Sequence, residues 1–410
     1  MNQMFGNHGN FPVLAGFVRG CIALMLAVAA SSCPVLVSGA EQAQNFSSFA
    51  EWCLNKDRIS PEAKHTVKAL LDKARHELWL SSGAGAFGVS EVAAEKLDCN
   101  KANEILTNFT ELDLAAGGET GKIRDISPLS PLTNLTKLGL MSNEISDIKP
   151  LSSLTKLTQL DLSSNQITDL SPLSSLTKLA ELNLQNNQIR DISPLSPLTK
   201  LTTLYLGSSK GFGLNTNQIR DINPLSALTT LTTLDLGNNQ IRDISPLSPL
   251  TNLTFLNLNS NQIRDLSFLS PLTNLTWLSL DSNQISDTKS LSNLINLTVL
   301  GLSSNQIRDI SSLSSLTNLT SLSLSSNQIS DIRFLSPLTK LVLLWLNSNQ
   351  ISDISPLSPL INLTELDLKD NQIRDISFLS PLAKLTQVDL QDNPLAQKNC
   401  PVHPITICSF

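Results

Sequence analysis

From Leu157 to Lys178 the chain reads LTQLDLSSNQITDLSPLSSLTK, and this 22-residue pattern of apolar and polar positions returns almost to its end. Asparagines mark the period: Asn143, Asn165, Asn187, then Asn217, Asn239, Asn261 and onward in steps of 22 to Asn393. The one irregular step, Asn187 to Asn217, is 30 residues, an insertion of eight at Ser209–Thr216. Two periodicities alternate within a unit. Leu160 and Leu162 flank polar Asp161, the period of two of a short strand with one buried face. Ile167, Leu170, Leu173, Leu176 and Leu179 then recur every third residue, which suits a 3-10 helix better than an α-helix. Pro172, like Pro128, Pro150, Pro194, Pro224, Pro246 and Pro356, discourages a long α-helix there. Asn165 falls where the chain turns, and a buried amide there satisfies backbone groups that no strand neighbour reaches.

No such unit buries its apolar side alone, so the units must stack. Twelve asparagine-marked units and one more at Leu112 predict thirteen strands. The expected fold is an α/β repeat solenoid: a right-handed superhelix, a parallel sheet on the concave face, 3-10 turns and loops on the convex face, and a small helical N-terminal cap.

A solenoid's end units expose apolar edges and need covering. The solenoid is assigned to residues 109–393, the N-terminal cap to 41–108 and the C-terminal cap to 394–410. Ser60-Pro61-Glu62 reads as a helix start, with serine as cap and proline at the first position. Val67, Leu70, Leu71, Ala74 and Leu78 follow at helical spacing. A Gly-rich loop, Ser81–Ser90, separates this helix from two short helical patterns, Glu91–Leu97 and Lys101–Leu106. The first 40 residues hold one charge, Arg19, then the apolar run Cys21–Ala30, then Ser38-Gly39-Ala40, which predicts a signal peptide cleaved after Ala40. A lipoprotein box ending at Cys33 is the lesser alternative. Export leaves Cys53, Cys99, Cys400 and Cys408, two local couples in an oxidising compartment, expected as Cys53–Cys99 and Cys400–Cys408. The paired short spacings of a zinc site are absent.

The phrase L-x-x-L-x-L-x-x-N-x-I is the leucine-rich-repeat signature. Units such as Asn239–Leu256 resemble the internalin-type, 22-residue class of bacterial leucine-rich-repeat proteins over about residues 106–393. The flanks, Phe49-Ala50-Glu51-Trp52-Cys53 and Cys400–Phe410, resemble the caps of secreted members. The resemblance implies a curved scaffold that binds proteins or surface glycans, without catalytic residues or cofactor, and secreted, periplasmic or at the cell surface.

Composition agrees. A net charge of −6 argues against nucleic acid, since phosphate binding needs a basic face. No later apolar run is long enough to span a membrane. Ala115–Lys122 (AAGGETGK) imitates a P-loop, but Ile123 stands where a Ser or Thr must hold magnesium, and the repeat resumes where a helix is needed. Among the histidines beyond the signal, His65, His76 and His403, none neighbours a plausible nucleophile. The aspartate ladder from Asp125 to Asp375 offers one carboxylate per turn rather than a calcium cage, and reads as capping of each 3-10 turn.

Strand alternation exposes the third, fifth and seventh residues of each phrase on the inner face. They are mostly Ser, Asn, Asp, Gly, Gln and Thr. The exceptions are Tyr205, Phe255, Trp277, Leu343 and Trp345, with Met141 nearer the start. Large aromatics on outward strand positions favour a partner contact over sheet stiffening. The insertion adds Lys210 and Phe212 beside Tyr205. The reading is an exported, monomeric, non-enzymatic scaffold with a protein or glycan ligand on the concave face. A structural envelope or matrix protein with no specific ligand there is the alternative.

Overall fold

The computed structural model describes residues 46–81, 97–116, 121–208 and 216–410, all within one compact unit, Asn45–Phe410. The signal segment, the Gly-rich loop and following helical pattern at 82–96, residues 117–120 of the AAGGETGK stretch, and residues 209–215 with Lys210 and Phe212 lie outside the described residues.

Each unit contributes one three-residue strand of the form x-L-x, from β1 (Glu111–Asp113) through β13 (Gln387–Asp389). All pair in parallel with their sequence neighbours, and apolar positions stay in register, as in Leu256↔Leu278. The thirteen expected strands gain a fourteenth, β14 (Cys408–Ser409), supplied by the C-terminal segment. Its signal in the sequence, two residues that include a disulfide cysteine, is too short to read as a strand. Between strands the chain returns through 3-10 turns such as Ser171–Ser175 and Ser245–Leu247, as the period of three requires. The core is a stack of leucine and isoleucine rows: Leu253, Leu256, Leu258, Ile263, Leu266, Leu269 and Leu272 of one unit are all buried and lie against their counterparts in the next.

The asparagines hold neighbouring units together. Asn261 is typical: Oδ1 accepts from the Ile241 N–H at 3.0 Å, and Nδ2 donates to the carbonyls of Leu236 at 3.0 Å and Leu258 at 3.1 Å. Ile241 and Leu236 belong to the preceding unit, Leu258 to its own, so a single amide satisfies turn groups of both. Eleven of these asparagines follow a left-handed residue: non-glycine residues from Ser142 to Asp392 sit at φ between 53° and 61°. Such backbone is uncommon for residues other than glycine, and here it recurs next to the buried amide in unit after unit.

Each aspartate of the outer ladder accepts from the N–H two residues on, as Asp169 does from Ser171 at 2.8 Å and Asp309 from Ser311 at 2.8 Å. The arginines that precede several of them turn elsewhere. Arg190, Arg220, Arg242, Arg264 and Arg308 donate to Gln218, Gln240, Gln262, Gln284 and Gln328 of the following unit.

The N-terminal edge is covered by α1 (Phe49–Leu54), α2 (Pro61–Ser81) and α3 (Cys99–Thr107). Ser60 caps α2 by accepting from the Ala63 N–H at 3.0 Å. Cys53–Cys99 ties α1 to α3, and Cys400–Cys408 closes the opposite end, with Cα–Cα separations of 5.6 and 5.8 Å. Among the described residues no helix is long and apolar enough to cross a membrane.

Replacing Asn261 with Leu keeps the forked shape of the side chain but strands the Ile241 N–H and two leucine carbonyls. Unfolding free energy should fall by about 1–3 kcal/mol, the usual penalty for buried polar groups left unpaired. Denaturant titration checks this; an unchanged midpoint would show that the ladder contributes nothing.

Candidate ligand-binding surface

Because strand side chains alternate, the leucine of each x-L-x points into the core and its two flanks face the inner surface. Thirteen strands therefore write three rows across that surface, through the third, fifth and seventh residues of each phrase. The third row reads Thr233, Phe255, Trp277, Val299, Ser321, Leu343, Glu365 across β6 to β12. Phe255 and Trp277 stack with centroids 4.2 Å apart and planes 10° from parallel. Both are half-buried, as are Val299, Leu343, Trp345 and Tyr205. Val299 went unnoticed in the sequence, since one β-branched residue among many is unremarkable; the register places it directly beside Trp277.

Trp345 and Tyr205 lie in the fifth row, Trp345 between Ser323 and Asp367, Tyr205 between Asn183 and Asp235. Tyr205 is therefore two strands from Phe255 and on a different row, so it borders the apolar group rather than joining it. Met141, 42 % exposed, stands apart on the second unit.

The rest of the floor is polar and closely fitted. Gln185 Nε2 donates to Asp235 Oδ2 at 2.8 Å, passing over the unit between them. The intervening seventh-row residue is Gly207, where any Cβ would collide with the Asp235 carboxylate. Asp235 also accepts from Gly237 N at 2.9 Å and Asn257 Nδ2 at 2.9 Å. Gly139 and Gly301 lie against Asp113 and Asp281 in the same manner. Toward the N-terminal end a trough of about 550 Å³ is bordered by Asp113, Gly139, Asp161, Glu181 and Tyr205. A smaller cleft of about 70 Å³ lies between Trp345, Glu365, Asp367 and Asp389.

Two sets of carboxylates are perturbed in opposite directions. Burial holds Asp235 above the ordinary carboxylate range, against the pull of the Gly237 N–H, Gln185 and Asn257. Asp367 is raised for the same first reason, with Asp389 opposite adding repulsion. On the outer ladder the Ser171 N–H draws Asp169 below its usual value, and the Ser311 N–H does the same for Asp309.

Among the described residues no group of three or more His, Cys, Asp or Glu is arranged to hold a metal. The inner surface offers shape, aromatic area and hydrogen-bonding groups. Short parallel strands on one side, 3-10 returns on the other and a buried asparagine per unit define a leucine-rich-repeat solenoid. The family described as "Leucine Rich repeats (2 copies)" matches residues 133–175, 177–227, 229–271, 273–315, 317–359 and 361–399. The chain belongs to the internalin-type leucine-rich-repeat family. It is 41 % identical to an internalin (InlF) from Listeria monocytogenes, over 72 % of this chain and 84 % of that one, with a TM-score of 0.67. The functional domain of InlJ from Listeria monocytogenes is similar at 25 % identity, covering 72 % and 65 %, TM-score 0.56. The ectodomain of the Arabidopsis thaliana receptor kinase GASSHO1/SCHENGEN3, solved in complex with CASPARIAN STRIP INTEGRITY FACTOR 2, is similar at 26 % identity, covering 72 % and 37 %, TM-score 0.62. No curated protein matches the chain.

A carboxyl raised by folding binds its proton more tightly in the native state, so its ionisation costs stability at neutral pH and the cost fades as pH falls. Asp235→Asn, with Gln185 turning its amide to accept, should therefore raise the melting temperature at pH 7. The gain should shrink toward zero as pH falls to about 4, near the unfolded carboxylate value. Calorimetry at both pH values tests the sign; a variant less stable at pH 7 would mean that the ionised form is the favoured one.

Proposed function

We propose that the protein is an exported, non-enzymatic scaffold that recognises a protein or surface glycan on its concave face, after loss of residues 1–40. The observation that carries this is the half-buried group Phe255, Trp277, Val299, Leu343 and Trp345 on a floor whose other side chains are mostly polar. Large aromatics there fill no core, and interface hot spots favour Trp for its contact area. The two terminal disulfides suit an oxidising compartment. Leucine-rich-repeat relatives include the plant ectodomain solved with its bound factor, which supports a binding role for this architecture. Lys210 and Phe212 would contribute where a partner reaches Tyr205.

A second reading, a structural envelope protein, draws on the Phe255–Trp277 stack, since cross-strand aromatic pairs also stiffen sheets. The two readings separate on the same variants. Trp277→Ala and Trp345→Ala should each weaken a captured partner by about 2 kcal/mol or more, the size of an aromatic anchor, with melting nearly unchanged. Melting that falls while affinity holds would favour the structural reading.

Export has its own test. Mass spectrometry of the protein recovered from its native cells should give a chain beginning at Glu41 with four oxidised cysteines. Retention of the leader, or acylation at Cys33, would replace this with an anchored form.

A further inference from the structure

The three inner rows carry nine carboxylates (Glu111, Asp113, Asp161, Glu181, Asp235, Asp281, Glu365, Asp367, Asp389) and two ammoniums, Lys137 and Lys369. That is a net −7, against −6 for the whole chain, so all other residues together amount to +1. The charge of this protein is thus concentrated on one face. Both lysines are already engaged, Lys137 with Glu111 at 3.0 Å and Lys369 with Asp392 at 3.5 Å. Among the described residues the other eight inner carboxylates have no ion-pair partner.

Placement matters as much as number. The apolar group ends abruptly against acid: Leu343 pairs in register with Glu365, and Trp345 with Asp367. Asp367 in turn faces Asp389 on the next strand. Like charges directly opposite on neighbouring strands are destabilising. Among the described residues each of the two carboxylates accepts only the N–H two residues on, from Lys369 and Gln391. On the other side Asp161 and Glu181 border the trough that runs up to Tyr205. Along its third row the face is an apolar centre between acidic ends, while the central carboxylates, Asp235 and Asp281, are already held by hydrogen bonds of the floor.

We infer that the partner presents a basic polypeptide segment, with an apolar centre that covers Phe255, Trp277 and Leu343 and lysines or arginines on either side that meet Asp161 and Glu181 at one end and Asp367 and Asp389 at the other. This rests on the concave-face reading above and specifies its ligand. Complementary charge would steer association and fix which way the segment lies. From β4 to β12 is eight strand spacings, about 38 Å at ~4.8 Å each, so an extended segment at ~3.3 Å per residue needs about 12 residues between its basic ends.

The test is to pan a random 16-residue display library on the oxidised full chain and measure the selected peptides against two variant sets. One set is Asp161→Asn/Glu181→Gln/Asp367→Asn/Asp389→Asn, which keeps shape; the other is Trp277→Ala/Trp345→Ala. Thermal melts confirm that both remain folded. Selected peptides should carry basic residues on both sides of an apolar centre and bind the neutralised face about tenfold or more weakly. Their affinity should fall as salt rises from 50 to 500 mM, because exposed charges are screened. Peptides without a basic excess, or indifferent to the neutralised face, overturn the inference. If those same peptides still lose affinity with the tryptophan variant, the concave-face reading survives without it. Indifference to both sets defeats both. A sedimentation result showing dimers, with no peptide enriched, would identify a second copy as the occupant and overturn the inference.

Discussion

The buried asparagine is the interaction on which the rest of the structure depends. A stack of three-residue strands leaves turn N–H and C=O groups buried at every unit boundary, and water cannot reach them. One amide per unit answers this, accepting from the unit before and donating to both, from Asn143 to Asn393. Because each asparagine needs a neighbour on its N-terminal side, stability passes from unit to unit, and each end needs a different closure. Helices α1 to α3 meet the first unit, whose strand has no earlier partner among the described residues. At the other end β14 offers the last strand a backbone to pair with.

That division of labour frees the inner face. Core leucines and the asparagine ladder fix the backbone, so the third, fifth and seventh residues vary without endangering the fold. They do vary, from Gly to Trp, while the rows beneath stay almost invariant from unit to unit. Two features of the face are nevertheless constrained by close fit. Asp235 and its ring of donors need Gly207 and Gly237, and Asp281 needs Gly301. The aromatic group occupies the third row from β7 onward, beside these fitted fifth- and seventh-row positions, where its neighbours are of ordinary size.

Period and alternation made the strands, the turns and the role of Asn165 legible before any coordinates, because each has a local cause that recurs. The same regularity exposed the aspartate caps, while the helix start at Ser60 was legible from its own Ser-Pro-Glu signature. What stayed hidden was relational. That arginine bonds the next unit's glutamine depends on lateral spacing, and no single unit encodes it. Val299 acquires meaning only beside Trp277. The concentration of charge on one face was present in the sequence, but it emerges only when the register sorts thirteen units into rows. Strand β14 was hidden for another reason: two residues carry no period at all.

The 30-residue unit behaves as if nothing had been added to it. Asn217 accepts from Ile189 at 3.0 Å and donates to Leu184 at 3.0 Å and Leu206 at 2.9 Å, the same set its neighbours make. Gln185 reaches across that unit to Asp235 as well. Chain length at this junction is therefore decoupled from the lattice of the solenoid. A lineage, or a protein engineer, has at Ser209–Thr216 a socket in which sequence can be lengthened, shortened or exchanged while the neighbouring units keep their geometry, beside the inner face that carries Tyr205.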